Sequence, residues 1–183
     1  MTKYFDGIGE VVFQKLTTDK INESADLIYN TYQAEKIWVD YPKEQVIDEL
    51  MCPFSNLVYK PSYFIALQNN VVIGIASYMW SHTSSNVLEL SFNTVNPDFQ
   101  RKGIGQHLVY LRLKEIIEQG NDDSVVITVT RKPKLFEKFN FTTSFMLKNE
   151  KEESAFMFCK VIDLPNYQSI KNKIKHTGKA RLH

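Results

Sequence analysis

The sequence predicts an α/β protein with one mixed sheet of about six to seven strands and helices on both faces. Three observations predict it. β-like apolar runs recur along the chain, two long stretches carry helical periodicity, and the order mixes consecutive strands with a strand–helix–strand crossover. The chain has 183 residues, room for one good-sized domain, and its 43% hydrophobic and 23% charged shares are ordinary for a globular protein.

Val11 to Leu16 reads as the first strand. A helix follows, with Ile21, Ala25, Ile28 and Tyr32 on one face and Thr18, Asp19 or Asn22 as its cap. A second helix opens at Pro42, suited to a first helical position, and closes by Cys52-Pro53. "YFIAL" and "VVIGIASYMW" read as strands joined by a hairpin turn at Gln68, Asn69 and Asn70. "VLELSFNTV" is the next strand, Val87 to Val95. After Gly103 the chain turns helical, with Ile104, Leu108 and Leu111 beside Val109, Leu113 and Ile116, and Gly120 stops it. "SVVITVT" is a further strand. Pro133 starts a short helix that ends near Phe139, and strands at Thr142–Leu147 and Ala155–Val161 flank "KNEKEES".

Charge is uneven. Net charge is +1, yet Lys171, Lys173, Lys175, Lys179 and Arg181 follow the last acid, leaving −4 for residues 1–163. The reading is therefore a main domain over 1–163 and a basic tail over 164–183. Five cations without interleaved aromatics suit a solvated tail or short helix better than a nucleic-acid contact, so nucleic acid is not an expected partner. No apolar run reaches the roughly 18 residues of a membrane span. The opening MTKYFDGIGE lacks a signal-peptide core, so a cytoplasmic protein without membrane contact is expected. Cys52 and Cys159 have no metal-ligand spacing, and no metal is expected.

The most informative stretch is "NPDFQRKGIGQHLVYL". It places Gly103 and Gly105 behind Arg101 and Lys102, at the point where a strand gives way to a helix. Unpaired N–H groups, a partial positive charge and bare backbone together favour phosphate or pyrophosphate. Gln106-His107 after Gly105 rules out a P-loop. Leu108 stands where a dinucleotide fingerprint needs a small residue, and Asp122 and Asp123 precede the following strand instead of ending it.

What remains, Gln100-x-x-Gly103-x-Gly105, resembles the acetyl-coenzyme A signature of the GCN5-related N-acetyltransferases (GNAT). "LFEKFNF", Leu135 to Phe141, resembles the family's late helix and strand entry, and the element order matches over roughly residues 10–161. The resemblance implies a single GNAT-like domain and acetyl-coenzyme A as co-substrate. The backbone of Arg101, Lys102, Gly103, Ile104, Gly105 and Gln106 would cradle the pyrophosphate beside Gln100. Val95 would offer its backbone to the pantetheine arm, and the thioester would lie between that strand and the next. Glu89 matches a position where some members carry a catalytic glutamate; an outward residue of an alternating strand is the competing reading. Phe136 and Phe139 would pack on the coenzyme or in the core.

Several positions depart from the family pattern. Phe136 stands where many members have a proton-donating tyrosine, Val129 and Thr130 where an asparagine is expected, and Asn140 in place of a glycine. The acceptor region of the family falls on Trp38, Asp40 and Tyr41 and on Glu150, Glu152 and Glu153, an aromatic-and-acid set suited to a cationic amine. Trp38 as a core residue is the competing reading, and an ordinary solvated turn is the better reading of the glutamates. The expected function is acetyl transfer to a primary amine of a small molecule or protein. The alternative is an acyl-coenzyme A-binding module with little or no catalysis, and a homodimer stays open.

Overall fold

A computed structural model describes residues 1–36, 41–58, 60–82, 84–148 and 153–177. The elements run β1 (Thr2–Phe5), β2 (Gly9–Lys15), α1 (Ile21–Ala34), α2 (Lys43–Met51), β3 (Ser62–Gln68), β4 (Val71–Trp80) and β5 (Val87–Val95). They continue with α3 (Ile104–Glu118), β6 (Val125–Thr130), α4 (Pro133–Glu137), β7 (Thr142–Lys148), β8 (Glu153–Lys160) and α5 (Tyr167–Thr177). The sheet has eight strands in the order β1-β2-β3-β4-β5-β6-β8-β7. β5 pairs with β6 in parallel, as a crossover helix requires, while β8 pairs antiparallel with both β6 and β7.

The α/β class and mixed sheet are as the sequence predicts, but six to seven strands was an undercount. The additional strand is β1, whose four residues carry only one buried side chain, Phe5. So short and exposed an edge strand has no alternation to read. At the start of α1 the N-cap is Lys20, without a side-chain cap, and not Thr18, Asp19 or Asn22, because Thr18–Lys20 form a 3-10 turn ahead of the helix. Other local signals hold. Asn69 and Asn70 turn the β3–β4 hairpin at φ 49° and 65°. Gly120 follows α3 at φ 82°. Pro42 stands one place earlier than expected, as the N-cap of α2.

The chain forms two compact units, residues 1–79 with 92–109 and residues 80–91 with 110–183. In the first, α1 and α2 bury Ile21, Ile28, Val46 and Leu50 against Tyr63, Ile65 and Ile75 of β3 and β4. The opposite side of that hairpin receives the start of α3. A Cβ on Gly74 would stand 3.2 Å from Leu108 Cδ1 and 3.3 Å from Ile104 Cγ2, so bare backbone in β4 lets the helix close onto the sheet.

In the second unit Leu88, Leu90, Val126, Ala155 and Met157 fill the inner face of the strands, and Leu113, Ile116 and Ile117 of α3 are buried. The first turn of α5 docks here. Ile170 is buried and Lys171 pairs with Asp122 at 2.6 Å. Among the described residues no helix is long and apolar enough to cross a membrane.

Candidate coenzyme loop and acceptor strand

The glycine loop is closed by its own side chains. Asn96 donates its backbone N–H to the Ile73 carbonyl at 2.9 Å, and its side chain accepts from Asp98 N–H at 3.0 Å. Gln100 then folds back, with Nε2 donating to the Val95 carbonyl at 3.0 Å and reaching Glu35 Oε1 at 3.5 Å. The glutamine thereby ties the loop to the end of β5 and to the end of α1. The Val95 carbonyl keeps a second lone pair.

Two residues take left-handed backbone in the loop, Arg101 at φ 61° and Gly103 at φ 92°. A side chain at Gly103 is strained by that angle, although its Cβ would meet Phe5 at an ordinary 3.5 Å. Gly105 differs. It lies inside α3 without positive φ, and a Cβ there would meet Asn93 and Val95 at an ordinary 3.6 Å. Neither backbone nor packing demands that glycine, so its bare surface is free for a ligand.

His107 N–H makes the first helical bond, to Gly103 C=O at 3.0 Å. The amides of Ile104, Gly105 and Gln106 precede it and are the orphan donors of the helix start. Ile104 is buried beneath them, while Arg101, Lys102 and Gln106 are exposed. The arrangement presents amide donors and two cations to solvent from a floor fixed by packing. It fits a pyrophosphate.

Sequence reasoning missed the floor. Phe5 on β1 and Phe13 on β2 enclose His107, with ring centroids 6.3 and 4.5 Å away. Burial, with Lys3 and the N-terminal amine nearby, pushes the His107 pKa down to about 4, so the imidazole is neutral at pH 7. Nothing in "GQHL" distinguishes such a histidine from a surface one.

β5 changes character at Phe92, which has φ 48°. Its register with β6 runs from Val87 to Leu90 and ends there. Phe92 turns toward Tyr32 and Tyr63, at centroid distances of 6.4 and 6.2 Å. Burial raises the Tyr32 pKa, partly offset by its hydrogen bond with Thr94. Just before the kink, the wholly buried Arg112 of α3 donates Nη1 to the Ser91 carbonyl at 3.2 Å. Loss of hydration pushes its pKa down to about 9. A left-handed phenylalanine and a buried arginine have no sequence signature here; β propensity alone predicts an unbroken strand.

The sequence-predicted residues divide between the units. Val95 and Gln100–Gln106 lie together in the first, with Tyr41, whose hydroxyl donates to Glu49 of α2. Burial raises the Glu49 pKa. Glu89, Phe136 and Phe139 lie in the second. Glu89 is half-buried in β5 between inward-facing Leu88 and Leu90. Phe136 is 2% exposed and packs edge-on against Phe141 at 5.6 Å, and Phe139 is buried too. Trp38, Asp40, Glu150 and Glu152 fall outside the described residues.

The model of the acetyltransferase (GNAT) family matches residues 25–141, well over half of the chain. The chain belongs to the GNAT family. The matched span of this GNAT protein includes the glycine loop, the kinked strand and the late helix. Among curated proteins none matches it by sequence. Solved structures share its fold. An N-acetyltransferase from Staphylococcus aureus Mu50 superposes with TM-score 0.66 at 17% identity, over 82% of this chain and 98% of that one. YncA of Salmonella typhimurium, described as an acetyltransferase and solved with its cofactor acetyl-CoA, gives 0.68 at 16% identity, over 82% and 94%. A ribosomal-protein-alanine N-acetyltransferase from Brucella melitensis gives 0.67 at 17%, over 81% and 99%.

Proposed function

We propose that this GNAT chain transfers the acetyl group of acetyl-coenzyme A to a primary amine. The observation that carries the reading is the loop at residues 100–106. One of its glycines is fixed by φ 92°, and the other is left bare with no demand from the fold. YncA, which shares the fold, was solved with acetyl-CoA. The backbone amides from Arg101 to Gln106 hold the pyrophosphate, with the Arg101 and Lys102 side chains adding positive charge. The end of β5 at Val95 runs along the pantetheine arm. Acetyl-coenzyme A supplies a thioester whose carbonyl carbon accepts an amine.

An alkylamine has a pKa near 10, so at neutral pH nearly all of it is protonated and unreactive. The Glu89 carboxylate takes that proton, directly or through one water, and releases the lone pair for attack. Phe136 has no proton to give, so the departing sulfur is protonated by solvent or by another group. The same phenylalanine supports a second reading, an acyl-coenzyme A-binding module without turnover. Phe139 adds apolar packing beside it.

A panel of amines incubated with acetyl-coenzyme A separates the two. Thiol release matched by a product heavier by one acetyl group supports transfer. Calorimetric binding of the coenzyme with no turnover of any amine favours the module, and failure to bind the coenzyme removes both. A family relative named for ribosomal-protein alanine makes protein N-termini a sensible member of the panel.

A further inference from the structure

The strand registers of the second unit place Glu89 on an open apolar surface. Glu89 stands level with Ile127 of β6, and Ile127 with Phe158 of β8. In the next row Val129 is level with Phe156, and Phe156 with Phe145 of β7. Residues level across a sheet share a face, and so do residues two apart along a strand, which adds Leu147. The opposite face buries Leu88, Leu90, Val126, Ala155 and Met157, with Met146 of the edge strand β7 44% exposed. The Glu89 face is more open. Val129 is 51% exposed, Phe145 50%, Leu147 44% and Phe158 37%, while Phe145 and Phe156 stack at 4.9 Å and 6°.

Isolated exposed apolar residues need no explanation, but contiguous rows of them mark a binding surface. Charge selects the occupant. Among the described residues no cation pairs with Glu89. Lys160 shares the face but stands level with Val125, at its other end. A purely apolar partner would strip water from an uncompensated carboxylate, which is costly. An ammonium group satisfies it, while an attached apolar body covers Ile127 and the phenylalanines. Neighbouring strands lie about 5 Å apart, so Phe158 is two strand spacings from Glu89, roughly 10 Å. An amine joined to a ring or branched chain by a short linker spans that distance.

We infer that the acceptor is a primary amine carried on an aromatic or branched aliphatic body, with its nitrogen at Glu89 and its body on the β6–β8–β7 face. The inference rests on the acetyl-transfer reading for the role of Glu89, but not for the binding surface. Free small amines and the N-terminal residue of a peptide share this chemistry.

Thiol-release kinetics compare 2-phenylethylamine with ethanolamine, and Phe-Gly-Gly with Ser-Gly-Gly. The apolar member of at least one pair is preferred by about tenfold or more in kcat/KM. The pair that shows the preference identifies the source. Phe158→Ser and, separately, Phe145→Ser reduce that ratio to within about threefold, chiefly through KM of the apolar amine. Both positions face solvent, so neither change empties a core. In parallel, 2-phenylethylamine is titrated into coenzyme A-loaded protein, and Phe158→Ser weakens its binding. Such binding without turnover of any amine retains the surface and removes the acetyl-transfer reading. Turnover with equal use of polar and apolar amines retains the transfer reading and overturns the inference. A dimer dissolved by Phe145→Ser with the amine ratio unchanged also overturns it, because the face is then a subunit interface.

Discussion

The loop at residues 100–106 and the outer face around Glu89 are built in opposite ways. Every turn of the loop is fixed from behind. Gln100 is bonded to Val95, Ile104 is pressed toward Gly74, Gly103 rests on Phe5, and His107 sits between Phe5 and Phe13. The Glu89 face has a buried inner side but leaves Val129, Phe145 and Phe158 uncovered. A ligand whose binding group never changes rewards a rigid cradle, since preorganisation removes the entropy of ordering the site. A surface left uncovered takes its definition from the molecule placed on it. The contrast teaches that the loop is defined by backbone conformation, and the Glu89 face by its side chains.

Substitution at the open face should change chemistry, and substitution at the closed loop should change binding and stability. The largest effect is expected from Glu89→Gln, which lowers kcat by about 10² to 10⁴ with coenzyme affinity nearly constant. The loss shrinks as pH rises, because the free amine becomes more abundant on its own. A glutamine variant as active as the parent at pH 7 returns Glu89 to an ordinary outward residue.

Gly74→Val tests the closed side. Its branched side chain meets Leu108 and Ile104 and costs about 1–3 kcal/mol by overpacking, read as a lower denaturation midpoint. Coenzyme affinity falls with it, since Ile104 is the floor of the loop. An unaffected affinity would separate the loop from its packing and weaken the contrast.

How much of this was legible follows the same division. The conformation of "QRKGIGQ" at a helix start was legible because glycine spacing, cations and the strand-to-helix junction are all local. The β3–β4 turn and the stop after α3 are local too. β1 was illegible because an exposed four-residue strand has no pattern, and with it went Phe5 and the burial of His107. The kink at Phe92 and the buried Arg112 depend on tertiary packing that overrides strand propensity. The apolar face needed register, because Glu89, Ile127, Phe158 and Phe145 are far apart in the chain and become one surface only when the strands pair.

The basic tail lies between these cases. Five cations after residue 170 were readable, but not the partner of Lys171. Ending the chain after Leu164 removes a buried isoleucine and a partly buried ion pair with Asp122. The expected cost is roughly 2 kcal/mol, seen as a melting temperature lower by about 4–8 °C. A truncated protein that melts with the parent would leave α5 without a structural role. The smallest effect is expected from Gly105→Ala, which gains about 0.5–1 kcal/mol because the helix prefers alanine and the space is free. Destabilisation there would mean that the fold itself requires this glycine, contrary to the geometry.

The central claim, that the loop is a finished cradle for the coenzyme pyrophosphate, is tested most directly by calorimetric titration of acetyl-coenzyme A into the parent and Gly103→Asp. The parent should bind one coenzyme per chain. In the variant the carboxylate repels the phosphates, and a side chain at φ 92° distorts the backbone that would donate to them, so binding should vanish while the circular dichroism of the fold persists. Equal affinity in the two proteins would contradict the account.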